Sequence, residues 1–110
     1  MPDTQDFYCE EVLSGKTAVE QVFETENVFA YHHTRPFWET HIIVIPKTHV
    51  DSLLTVEKEM LEELLDVVKS VATLVLKEKG AARVLTNLGD YQDSKHLHFH
   101  VSSGEQINGE

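Results

Sequence analysis

No disulfide can form within this chain, because its 110 residues include a single cysteine, Cys9. That usage fits a reducing cytoplasm. No apolar run approaches the roughly 20 residues of a membrane-spanning helix. Met1 to Asp6 are acidic and polar, and they lack the basic start and apolar stretch of a secretory leader. Basic residues are scarce: nine Lys and Arg stand against nineteen Asp and Glu, a net charge of −10. Nucleic-acid backbone and anionic membrane both need basic surface, so neither is expected as a partner. A small phosphorylated ligand stays open, since a few placed N–H donors can hold one phosphate. Repeats, low-complexity stretches and linkers are also lacking. With 41% hydrophobic and 25% charged residues, residues 1–110 read as one globular domain.

What the chain has is histidine, seven in all, three of them in the run His96-Leu97-His98-Phe99-His100-Val101. Alternation with period two marks a half-buried strand. Leu97, Phe99 and Val101 would face a core and the imidazoles the other side, about 6.6 Å apart. Imidazole packs poorly but serves near neutral pH as nucleophile, proton donor or metal ligand. From this hexapeptide alone a zinc site remains a rival, because His-x-His on a strand can supply two ligands.

Around the run the chain reads β-β-β-α-β-β. Phe7 to Leu13 suggest a short helix stopped at Ser14-Gly15, so Ser14-Gly15-Lys16 reads as a helix exit turn and Gly15-Lys16-Thr17 is not the end of a phosphate loop. That motif needs a glycine where Glu10 stands. Ala18–Glu24 and Asn27–His33 are expected strands joined by a hairpin turn, and Thr40–Pro46 a third. Leu61, Leu64, Leu65, Val68, Val71, Ala72 and Val75 recur at helical spacing. Thr55 is the expected N-cap and Gly80 the C-terminal stop of a helix of about 23 residues, roughly 34 Å long. Arg83–Asn87 and Leu97–Ser102 complete an α+β domain: a five-stranded, mainly antiparallel sheet with one long and one short helix.

The histidine run, the segment His41-Ile42-Ile43-Val44-Ile45-Pro46-Lys47-Thr48-His49 and the pair Asn87 and Gly89 together resemble the histidine triad (HIT) superfamily. The nearest branch looks like the Hint-type nucleoside phosphoramidases, and the resemblance covers roughly Phe7 to Ser102. It implies the HIT-like fold, a homodimer and hydrolysis at the α-phosphate of a nucleotide through a covalent nucleotidyl-histidine. His98 would be the nucleophile, His100 would contact phosphate and leaving group, His96 would support the nucleophile, and His41 would pack beside them. Asn87, Gln92, Ser94, Tyr31, His32 and His33 are the implied nucleotide contacts. No metal or other cofactor is required. Imidazole attack divides a hard hydrolysis into two easier steps.

Three departures bear on substrate. His33 stands where many relatives carry an aspartate that binds ribose hydroxyls, and imidazole cannot accept two hydroxyls as a carboxylate does. Tyr91-Gln92-Asp93-Ser94 replaces the usual loop before the triad. Arg35 and Trp38 join a proline-containing turn. Cys9 and His49 match part of a zinc site that some bacterial relatives carry, too few ligands for a closed site. Two function classes follow. One is a hydrolase of phosphoramidates or dinucleoside polyphosphates; the other is a nucleotide-binding or adaptor protein with little turnover.

Overall fold

The computed structural model describes residues 12–15 and 18–107. Five strands form one antiparallel sheet: β1 (Gln21–Glu24), β2 (Val28–His32), β3 (Trp38–Pro46), β4 (Arg83–Thr86) and β5 (Phe99–Gln106), in the order β1-β2-β3-β5-β4. One long helix, α1 (Lys58–Lys79), connects β3 to β4. The expected short helix at Phe7–Leu13 lies outside the described residues except for Val12 and Leu13, and Cys9 lies outside them altogether. Among the described residues no helix is long and apolar enough to cross a membrane.

The sheet is apolar on both faces, for period-two reasons. Val28, Ala30, Ile42, Val44, Phe99 and Val101 point one way and pack on Leu64, Val67, Val68, Val71 and Val75 of α1. Tyr31, Ile43 and Ile45 point the other way and are covered by Val12, Leu13 and Val19. The stripe on α1 is narrower than the sequence suggests. Leu65 is 39% exposed, because it lies one position off the 64–68–71–75 line.

The ends of α1 correct one expectation. Thr55 is not the N-cap. Its hydroxyl accepts from the Ser52 N–H at 3.2 Å inside the preceding turn, and extended Glu57 precedes the first helical residue, Lys58. A hydroxyl engaged by its own turn cannot also cap the helix. Gly80 does end the helix in the left-handed region (φ 84°), with its N–H on the Leu76 carbonyl. Glu63 ties α1 to the β1–β2 turn, accepting from the Thr25 hydroxyl at 2.6 Å and the Asn27 N–H at 3.0 Å.

Gly104 marks the register shift where β5 passes Trp38 and Thr40 of β3. Its φ is +87°, and a Cβ there would lie 2.9 Å from the Glu39 Cβ and collide with Glu39 Oε1. A left-handed residue with a side chain costs about 1–2 kcal/mol, and the contact adds to it. Gly104→Ala is therefore expected to lower unfolding stability by about 1–3 kcal/mol in a urea titration. An unchanged midpoint would show that the bulge relaxes freely.

Candidate active site

The histidine run behaves as a strand only in its second half. β5 starts at Phe99; His96 ends the bend at 93–96, and Leu97 and His98 are the irregular residues that lead from it into the strand. The alternation survives the bend. Leu97, Phe99 and Val101 enter the α1 core, while His98 and His100 turn to the opposite face. That face is not the open one expected of a half-buried strand. His96 is fully buried and His98 is 5% exposed. The Thr86 hydroxyl donates to the His98 carbonyl at 2.6 Å, anchoring this backbone to β4.

His98 and His100 lie on the wall of a cleft of about 1240 Å³. Register explains who joins them. Ile43 pairs with His100, so His41, two residues earlier on β3, shares its face. Leu85 pairs with His100 from β4 and also lines the cleft. Tyr31 and His33 reach it from the end of β2, and Asn87, Asp93 and Ser94 from the β4–β5 connection. Of the expected nucleotide contacts, His32 and Gln92 are not among its lining residues. His32 falls on the other side of β2 from Tyr31, as alternation requires. Gln92 is buried, and its side-chain amide donates to the Asp51 carbonyl at 2.7 Å. His96 is also away from the cleft, packed edge-on against His49 with Nε2 2.9 Å from the Pro46 carbonyl.

Hydrogen bonds fix where the protons sit. A carbonyl only accepts, so the 2.8 Å contact between His98 Nδ1 and the His96 carbonyl places a proton on Nδ1. Neutral His98 then carries its lone pair on Nε2. A second chain starts at the Phe37 N–H, which donates to His41 Nδ1 at 3.0 Å. His41 must hold its proton on Nε2, which lies 2.8 Å from His100 Nδ1 and donates to it. Neutral His100 must in turn carry its proton on Nε2. Among the described residues that buried nitrogen has no partner, and neither does the buried hydroxyl of Ser94. Buried polar atoms without partners are rare and ask for a reason; both belong to residues of one cleft, where a ligand can satisfy them. Lone pair and N–H donor thus sit on adjacent imidazoles, with ring centroids 4.9 Å apart. Phe37 contributes through its backbone, which no side-chain pattern could reveal. Leu85 was findable, since alternation along β4 puts it beside His100.

Burial holds the donor chain neutral. It pushes the His100 imidazole down to about 3, helped by charge on His98, His41 and His33. His41 falls to about 4, again chiefly by burial and then by charge on His33 and His98. His33 is lowered by burial and His98. Their native values lie below the unfolded value of 6.5, so the unfolded chain takes up these protons first as pH falls. The stability they confer is complete above about pH 6.5. It is lost as pH falls through 4 and toward 3, at up to about 1.4 kcal/mol per pH unit for each proton. Urea midpoints are expected to drop between pH 6.5 and 4.5, and to drop less in His41→Gln. Equal slopes would mean that His41 does not titrate on unfolding.

Among the described residues, no group of three or more His, Cys, Asp or Glu side chains is arranged to hold a metal ion. His49 is engaged with Asp51, Nε2 to Oδ1 at 2.6 Å.

Comparison with known proteins agrees with this architecture. The family model for the HIT domain matches residues 15–107. A HIT-like protein of Azospirillum brasilense is 34% identical over 103 residues, covering 87% of this chain and 84% of that protein. An adenosine 5′-monophosphoramidase of Candida albicans is 30% identical over 103 residues, covering 86% of this chain and 66% of that protein. The crystal structure of a HIT family hydrolase from Legionella pneumophila superposes with a TM-score of 0.76 at 26% identity, covering 94% of this chain and 96% of that one. With that match along most of its length, on a five-stranded sheet that carries the histidine row, the chain belongs to the HIT domain family.

Proposed function

We propose that this protein hydrolyses a nucleotide at its α-phosphorus through a covalent nucleotidyl-His98. One observation carries the reading: the Nδ1 contact to the His96 carbonyl leaves the lone pair of neutral His98 on Nε2, beside the unpartnered N–H of His100. In the first step His98 Nε2 forms a bond to phosphorus as the bond to the leaving group breaks. An amine departs from a nitrogen already protonated from solvent. In the second step water adds to phosphorus, the N–P bond breaks with its electrons returning to Nε2, and the water proton goes to solvent. His100, held neutral, donates a hydrogen bond to the developing charge and does not act as the acid. Asn87 and Ser94 supply further polar contacts, and Tyr31 and His33 form the wall beyond. His96 supports the bend from behind. The activity of the Candida relative favours a phosphoramidate over a dinucleoside polyphosphate.

A second reading is a nucleotide-binding protein with little turnover. Asp93 favours it, since a carboxylate on the cleft wall repels a phosphate. Incubation with adenosine 5′-phosphoramidate and with diadenosine polyphosphates separates the two. Release of AMP supports the hydrolase; binding without release supports the alternative. The chain's single cysteine supports a location in the reducing cytoplasm.

We also propose a homodimer. β4 is an edge of the sheet, with Val84 47% and Leu85 39% exposed, and Leu74 and Leu76 on α1 are 43% and 54% exposed. A two-fold interface needs a self-complementary surface, and an open sheet edge with exposed apolar side chains can supply one. Sedimentation at micromolar concentration is expected to give twice 12.5 kDa; a 12.5 kDa species alone would refute it.

A further inference from the structure

The triad corner uses a small part of the cleft. At about 1240 Å³ it exceeds the roughly 300–1,000 Å³ of common ligand pockets. One stretch of its wall is the turn from His33 to Trp38, and this stretch has its own polarity. The Arg35 N–H donates to His33 Nδ1 at 2.9 Å. Neutral His33 therefore carries its proton on Nε2, so the imidazole offers the cleft a donor and no acceptor. Stacking fixes the ring, with centroids 4.5 Å from His41 and 5.6 Å from Phe37. Arg35 lines the same wall, and its guanidinium makes no ion pair or hydrogen bond with a described residue. A fixed N–H donor and a cation thus line one stretch of wall, with Phe37 and Trp38. The carboxylate of Asp93 belongs to the same cleft lining. In a chain of net charge −10, a ligand anion gains little from the general field and depends on such local donors.

We infer that the His33–Trp38 wall is a second anion site, which takes a phosphate carried by the substrate in addition to the one His98 attacks. The inference rests on the proposed function and narrows its substrate to nucleotides with a second phosphoryl group. That group can sit on the ribose or on the leaving-group side, and both supply the same chemistry to His33 and Arg35.

Calorimetry at pH 7.5 with adenosine 5′-monophosphate, adenosine 3′,5′-bisphosphate and adenosine 5′-diphosphate tests it. At least one of the two doubly phosphorylated ligands is expected to bind at least tenfold more tightly than the monophosphate. Preference for the bisphosphate puts the second anion on the sugar, and preference for the diphosphate puts it on the leaving-group side. In Arg35→Gln the gap is expected to shrink below threefold, with Arg35→Lys intermediate. In His33→Asp, where a donor becomes an anion, it is expected to vanish or invert. Equal affinities for all three ligands in the wild-type protein overturn the inference, as does a gap that survives in Arg35→Gln. A preference without turnover of either the phosphoramidate or the diadenosine polyphosphates would sink the covalent reading and leave this site standing.

Discussion

Replacing His98 by alanine is expected to abolish turnover. The loss in kcat/KM should be at least about 10³-fold, about 4 kcal/mol of barrier. The reason is positional. His98 joins a defined lone pair on Nε2, a backbone held by Thr86 and a place on the cleft wall. Neither flanking triad imidazole can replace it. His96 is buried behind the bend with Nε2 at the Pro46 carbonyl. His100 presents a proton where a nucleophile needs a lone pair, because His41 occupies its other nitrogen. Phosphoramidate kinetics check this, with circular dichroism to show that the variant folds. A loss under about tenfold would remove His98 from the covalent role.

The second large effect is expected at His41, which we assign as a positioning residue. His41→Leu should lower kcat on the order of 10²-fold with KM changed only a few-fold. Leucine fills the space but leaves the Phe37 N–H without an acceptor and frees His100 to move its proton to Nδ1. His41→Gln separates this from simple packing. A glutamine can accept from Phe37 through its oxygen and donate to His100 through its amide, so it should recover much of the lost rate. Equal losses in the two variants would reduce His41 to a space-filling role.

Much of this arrangement is legible in the residues. Alternation from Leu97 to Val101 separates core side chains from imidazoles, because a strand offers only two faces. Spacings of three and four from Leu64 to Val75 give the long helix, and Gly80 ends it. Three consecutive residues, Tyr31, His32 and His33, cannot all face one cleft. The same period-two rule sends His32 to the other side. Gln92 and Thr55 are harder to read, since each side chain is claimed by a backbone partner that sequence spacing does not reveal. The tautomer chain is invisible for a stronger reason. It starts at the backbone N–H of Phe37 and passes through side chains 59 residues apart, His41 and His100. Only the folded sheet creates it.

Adduct formation on His98 tests the central claim most directly. Wild-type protein would be mixed with excess adenosine 5′-phosphoramidate, quenched at successive times and digested for mass spectrometry. The account predicts an adenylyl group on the peptide that carries His98, rising before steady state and decaying when substrate is exhausted. AMP formed in a single phase with no modified peptide, or an adenylyl group on His96 or His100 instead, would contradict it.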